Sequence, residues 1–368
     1  MRFVLKECAW EALGDELVVV FDPRESLVVA DPDGKIEALL TELNRGAQTV
    51  RQVRSALLRR GFEVTEEDVA AGLKGLDSIG LIENADDRWL HSPSENDRHF
   101  SNLTFFGSFS GITRSRADYV RRLRDAHVLV LGVGGAGSSL VQCLAGLGVG
   151  AMTLVDRDDV EPRNFARQFL YRQADIGRSK VDRAAEWVRD FDPEIDVRAV
   201  DRWIRGPEDL ADLTADADLL AGGIDGARDA NLWVNEAAVR AGVPFVTGLA
   251  GRTQLMYTSV DPGNSACIQC DEVDRPDERE TSSVGIAQRL TLRMRSSNFL
   301  IGPIAMQIGS LIAYEAMRYL TGFEPPQAAG VRVVLDLRTG LTPERQPFSQ
   351  DPNCPVCQLA PKKGYGRT

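Results

Sequence analysis

The spacing of apolar positions changes several times along the chain. Leu17 to Phe21 and Ser26 to Ala30 are short apolar runs around Asp22-Pro23, and Asp33-Gly34 signals a turn after them. From Ile36 the spacing becomes helical, with Ile36, Leu39, Leu40 and Leu43 on one face. Val50, Val53, Leu57 and Leu58 repeat it. Thr65-Glu66-Glu67 then caps a third helix whose face is Val69, Leu73, Leu76 and Ile79. Strands followed by three short helices predict a small winged-helix-like α+β domain over residues 1–88. The polar, charged stretch at 89–97 reads as a linker.

From residue 98 to 368 the period alternates. Strands are predicted at Val128–Leu131, Met152–Val155, Val197–Val200, Leu219–Gly222 and Phe245–Thr247. Helices begin at Gly137, Lys180 and Asp229. This βα alternation predicts an α/β domain, a Rossmann-like, mostly parallel sheet with helices on both faces. The segment 271–296, rich in Ser, Arg and Glu, reads as a mobile surface loop.

Two uncharged stretches are long enough to raise a membrane question. Val128 to Val155 has no charge over 28 residues, but it holds seven glycines grouped as a turn and a break. A strand, turn, helix, strand unit accounts for that layout. Ser296 to Tyr314 is interrupted by Gly302 and Pro303 and reads as a buried core helix. Met1 to Trp10 carries Arg2, Lys6 and Glu7 and no apolar signal core, so no membrane partner and a cytoplasmic location are expected.

The length of 368 residues fits two domains, and 43% hydrophobic with 26% charged residues fits a globular chain. Lys plus Arg total 43 against 54 Asp plus Glu, a formal charge of -11, which argues against nucleic acid as a partner. Residues 1–90 hold 11 basic against 18 acidic residues, so a DNA-binding winged helix is disfavoured.

Four of the six cysteines form two pairs, Cys267-Ile-Gln-Cys270 and Cys354-Pro-Val-Cys357. The two-residue spacing lets both thiolates of a pair reach one tetrahedral metal, so the four read as a structural zinc site. The alternative is two unrelated redox or disulfide pairs. Cys8 and Cys143 read as small buried hydrophobes.

The strand Val128–Leu131 runs into Gly132-Val133-Gly134-Gly135-Ala136-Gly137. Such a turn brings backbone N–H groups to a phosphate at a helix N-terminus. Asp156 ends the next strand, where a carboxylate reaches a ribose hydroxyl. These features alone suit a nicotinamide-dependent oxidoreductase equally well. Asn164, Arg167 and Gln168 follow, then Lys180, then Asp225 after the strand ending at Gly222. Hydride transfer does not need two extra cations and an acid beside phosphates. Nucleotidyl transfer does, because charge builds on phosphate oxygens. Asp225 is the candidate to hold Mg2+.

In order and spacing, Gly132, Gly134, Gly135, Gly137, Asp156, Asn164, Arg167, Gln168, Lys180, Asp225 and the cysteine pairs resemble the ubiquitin-activating-enzyme-like (ThiF/MoeB-type) adenylyltransferase family. The resemblance covers residues 98–357. It implies that Asp156 binds the ribose of ATP, that Asn164, Arg167 and Lys180 bind the triphosphate, and that Asp225 serves magnesium. It also implies a structural zinc and a homodimer. Asn231-Leu232-Trp233-Val234-Asn235 with Val239-Arg240-Ala241 and Pro244 is similar to the microcin C type of peptide adenylyltransferase. Residues 1–88 resemble the leader-peptide clamp of ribosomal peptide (RiPP) biosynthesis. One departure is Ser101, which stands where the family's second arginine of Arg-x-x-Arg falls; Arg98, Arg114 and Arg116 are the candidates to replace it. Residues 271–353 contain no cysteine, so thioester transfer is not expected.

The function expected is ATP-dependent adenylation of the C-terminal carboxylate of a ribosomally made precursor peptide. One alternative is an activator of a sulfur-carrier or ubiquitin-like protein ending in Gly-Gly. Another, of a different class, is a non-catalytic leader-binding scaffold.

Overall fold

In a computed structural model of the chain, the three helical spacings near the N-terminus form α1 (Lys35–Asn44), α2 (Val50–Arg59) and α3 (Glu66–Ser78). Structure is described for residues 1–22, 25–224, 229–273 and 300–361, so Pro23, Asp225 and most of the 271–296 stretch lie outside the described residues. Thr49 and Thr65 each start a helix with a capping box, closed by Gln52 and Asp68. Each cap stabilises its helix by about 1 kcal/mol. Leu58, expected inside, is exposed: Val53, Ala56 and Leu57 fill the inner face at i, i+3 and i+4.

These helices belong to the first of two compact units, Met1–Arg121 and Arg122–Thr368. In it β1 (Phe3–Leu5) pairs antiparallel with β5 (Ile82–Asn84). Strands β2 (Ala9–Leu13), β3 (Glu16–Asp22) and β4 (Glu25–Ala30) form an antiparallel sheet in that order. Alternation puts Leu17 and Val19 of β3 into a core with Leu40, Leu43, Val53, Leu73 and Ile82. Among the described residues, β4 pairs with β3 on one side and with no strand on the other. The unit continues through α4 (Pro93–Arg98) and α5 (Phe100–Gly107) to α6 (Arg116–Asp125).

The second unit is built on a sheet of order β13-β12-β11-β10-β9-β6-β7-β8. Strands β6 (His127–Leu131), β7 (Ala151–Asp156), β8 (Asp196–Asp201), β9 (Leu219–Gly222) and β10 (Phe245–Ala250) run parallel. The expected alternation is present, with α7 (Gly135–Leu147), α8 (Lys180–Phe191), the short α9 (Ala211–Thr214) and α10 (Ala230–Ala241) between them. Leu129 and Leu131 of β6 pack with Val234 and Ala238 of α10 on one face. Residues of opposite parity, Val128 and Val130, are equally buried on the other. The sheet then gains an antiparallel extension that the apolar pattern did not reveal: β11 (Gln254–Val260), β12 (Val331–Asp336) and β13 (Pro343–Pro347). α11 (Ile268–Val273) lies between β11 and α12 (Gly302–Thr321). Pro303 does not interrupt α12 but opens it, at a position whose N–H has no helical acceptor in any case. Among the described residues, no helix is long and apolar enough to cross a membrane.

One polar network is sealed inside the first unit. Glu83 on β5 is fully buried and accepts from both Arg116 Nη2 (2.7 Å) and Arg116 Nε (3.0 Å), and from the Ser110 hydroxyl (2.7 Å). Arg88 adds an ion pair at 2.7 Å. Removing one side of such a pair leaves a buried, uncompensated charge. Glu83→Ala is therefore expected to cost about 3–5 kcal/mol, read as a lowered midpoint in urea unfolding of the whole chain. A loss below about 1 kcal/mol, the range of surface pairs, would show that water reaches these charges.

Candidate active site

Parallel strands present their carboxyl ends on one edge, and the chemistry-bearing residues of the second unit lie there. At the end of β6 the chain turns at Gly132 (φ 77°), a left-handed conformation that favours glycine. Gly137 is needed for a different reason: a β-carbon there would stand 1.8 Å from the Gly132 carbonyl oxygen. α7 can start this close to the strand only without a side chain. Its N-cap is Gly134, with no side chain bonding the first-turn N–H groups. Those donors and the helix dipole, roughly half a positive charge, face the turn and suit an anion.

Both ends of Val133 are pinned. Its N–H donates to Asp156 Oδ2 (2.8 Å), and its carbonyl accepts from the buried Tyr171 hydroxyl (2.7 Å). Burial, with Asp156 and Asp158 nearby, pushes the Tyr171 phenol well above its ordinary pKa, so it stays a donor. Asp156 Oδ1 accepts from the amides of Arg157 (2.7 Å) and Asp158 (2.9 Å). A carboxylate has about four acceptor sites. Three are filled by amides, which orient the group and leave capacity to accept from one more donor.

The segment after β7 adds the remaining polar groups. Asn164 is buried and its Oδ1 accepts from Glu161 N–H (2.9 Å), closing a short turn from which the N–H groups of Arg167 and Gln168 both bond Asn164 O. Gln168 is buried with its Oε1 unsatisfied, and its Nε2 lies 3.6 Å from where a β-carbon on Gly134 would be. Arg167 is half-buried beside Gly135, with its guanidinium on the Arg163 carbonyl (3.1 Å). Lys180 opens α8 and is 95% buried, its Nζ on Asp158 Oδ2 at 2.9 Å. Asp156, Asn164, Arg167, Gln168 and Lys180 thus gather around Gly132, Gly134, Gly135 and Gly137. Asp225 lies outside the described residues.

Asp158 and Tyr171 were missed by the sequence reading. The acid two residues past Asp156 was a usable signal, since alternate positions past a strand end turn the same way. Tyr171 had none, because an isolated tyrosine after a loop looks like core. For the role left open by Ser101, Arg116 is disfavoured by its burial against Glu83 in the first unit.

The two cysteine pairs meet. Cys267, Cys270, Cys354 and Cys357 bring their sulfurs within 4.8 Å of one another, at 3.9 Å for Cys267–Cys270, 3.7 Å for Cys267–Cys354 and 3.5 Å for Cys270–Cys357. Four thiolates on one tetrahedral zinc at about 2.3 Å would be about 3.8 Å apart, so the residues fit the metal. Burial and the neighbouring Cys267 push the Cys357 thiol up, so thiolate formation there calls for a cation. The cluster lies in the core beneath α10, where the Asn235 side chain also accepts from Ile268 N–H (3.0 Å) at the start of α11.

With this geometry in view, the chain can be set beside known proteins. The ThiF family pattern matches residues 110–356, and the chain belongs to the ThiF family. It is 32% identical over 247 residues to the adenylyltransferase and sulfurtransferase uba4 of Emericella nidulans, covering 64% of this chain and 48% of that protein. It thus spans about half the length of that fungal relative. It is 29% identical over 242 residues to the sulfur carrier protein ThiS adenylyltransferase of Escherichia coli, covering 65% of this chain and 89% of that one. The solved structure of E. coli MccB superposes with a TM-score of 0.79 at 19% identity, over 100% of this chain and 99% of that chain. MccB has also been solved with ATP and, as the microcin C7 biosynthetic enzyme, with N-formylated MccA.

The metal assignment has a direct check. The purified chain is expected to carry about one zinc. Cys354→Ser should lower both the zinc content by metal analysis and the thermal midpoint, because the bond energy of a structural zinc is folding energy. Wild-type protein purified without zinc and equally stable with a chelator would remove the site.

Proposed function

We propose that the protein is an ATP-dependent adenylyltransferase that activates the C-terminal carboxylate of a ribosomally made precursor peptide. The observation that carries the reaction is Lys180: a buried ammonium at the start of α8, paired with the exposed acid Asp158, whose N–H in turn bonds the Asp156 carboxylate. A dinucleotide site for hydride transfer has no use for it. In the reaction a carboxylate oxygen of the peptide bonds to the α-phosphorus of ATP. The bond from that phosphorus to the bridging oxygen breaks, and pyrophosphate leaves with the electron pair. Lys180, Arg167 and the N–H groups at the start of α7 offset the charge that grows on the phosphate oxygens. Asn164 and Gln168 orient the phosphates, and Asp156 holds the ribose. Mg2+ bound through Asp225 would supply further charge neutralisation. The enzyme works as a homodimer in the cytoplasm.

The peptide assignment is supported by the first unit. A sheet whose β4 edge pairs with no strand among the described residues, packed on three helices, is the architecture that takes an extended peptide as an added strand. The superposition with MccB includes this unit, whereas the ThiS activator matches only 65% of the chain. That second match favours one other reading, activation of a sulfur-carrier protein ending in Gly-Gly.

Peptide-dependent release of pyrophosphate, with mass spectrometry for an AMP-peptide, tests the reaction on short precursors and on a Gly-Gly carrier. Asp225→Asn is expected to keep ATP affinity and lose about 10²- to 10³-fold in turnover. Lys180→Ala should lose turnover and some ATP affinity, because lysine also meets ground-state phosphate charge. Normal turnover by both variants would overturn the site. Removal of residues 1–88 should weaken binding of a labelled precursor and leave ATP binding in place. Equal precursor affinity in the two proteins would remove the clamp.

A further inference from the structure

Trp203 is a large aromatic left in solvent just past the end of β8, at 54% exposure. It follows β8 by two residues, and its neighbour Ile204 goes into the core. The Arg157 guanidinium lies 3.8 Å from the indole centroid, and that of Arg205 lies at 4.9 Å. Exposed contacts of this kind gain little in water, so stability does not explain the arrangement.

Its position suggests another use. Arg157 directly follows Asp156. β7 and β8 pair with Asp156 opposite Asp201, and Arg202 N–H donates to Asp156 O (3.2 Å). The indole and guanidinium therefore stand at the carboxyl ends of two adjacent parallel strands, beside the carboxylate that orients the ribose. The loop that carries them is braced. Arg202 Nη1 bonds Asp212 Oδ1 (2.6 Å), and Arg205 N–H bonds Asp209 Oδ2 (2.8 Å).

We propose that Arg157 and Trp203 form the stacking platform for the base of the bound nucleotide. The inference rests on the adenylyltransferase reading and adds the residues that select the base. A nucleoside whose hydroxyls rest on Asp156 carries its base one glycosidic bond away, within reach of this pair. Guanidinium and indole planes stack on any base face, without reading its edge. With the guanidinium already 3.8 Å over the indole, a base can lie on the outer face of this stack, and a purine covers that face more fully than a pyrimidine, so the platform favours purine nucleotides over pyrimidine ones.

The experiment titrates the full chain with ATP and with CTP, without peptide, by calorimetry and by tryptophan emission. ATP should quench part of the emission. Trp203→Phe should abolish that change and keep ATP affinity within about threefold, because a phenyl face still stacks. Trp203→Ala should bind ATP about tenfold more weakly and CTP nearly as the wild type does, so the preference collapses. Its thermal midpoint should stay unchanged. Wild-type ATP affinity in Trp203→Ala would overturn the platform and leave the adenylyltransferase reading intact. A wild-type chain that binds neither nucleotide would overturn that reading and the platform with it.

Discussion

The close approach of a helix to a strand governs this molecule. α7 begins so near the end of β6 that the Gly132 carbonyl oxygen occupies the space of a Gly137 side chain. Three consequences follow. The helix axis points its positive end at the carboxyl edge of the parallel strands. The turn is short enough for Val133 to be held at both ends, by Asp156 of the next strand and by Tyr171. The segment after β7 is then drawn back over the turn, which brings Arg167 and Gln168 against Gly135 and Gly134. The candidate nucleotide residues are spread along the sequence from 132 to 180, and this packing constraint helps to gather them at one edge.

The four-cysteine cluster belongs to the core under the same sheet. It ties the start of α11 to residues 354–357, and the core it belongs to holds α10 against β6 and β9. α10 begins at Ala230, shortly after β9 ends at Gly222, so the cluster steadies the helix that follows the segment containing Asp225.

Much of this was legible in the sequence, for physical reasons that differ by element. The parallel strands were visible because both of their faces are buried, which makes them continuous apolar runs. The glycine turn was visible because its backbone tolerates no side chain. β13 was not visible: Pro-Glu-Arg-Gln-Pro is an exposed edge strand, where prolines are tolerated and no apolar face is required. β11 was hidden because it buries Ser259, whose hydroxyl donates to the buried carboxylate of Glu315 (3.0 Å). A polar residue satisfied inside breaks the alternation that marks a strand. The same limit applied at the site. Lys180 could be found by spacing, but its ion partner Asp158 and the Tyr171 anchor depend on where the loop folds back.

That ion partner also explains how a buried lysine is tolerated without a ligand. Burying an ammonium is costly unless a counter-charge is near. Asp158 provides one at 2.9 Å, and it is more than half exposed. A phosphate bound as proposed would compete for the same ammonium, and an exposed carboxylate is released into water at little cost. In the proposed reaction, such a pair would hold the lysine in place before a nucleotide arrives and let it exchange partners when one does. A triphosphate carries more negative charge than Lys180, Arg167 and one helix end can offset. For the proposed reaction a further cation would balance that charge, which is the physical argument for assigning magnesium to the acid that follows β9 in the sequence.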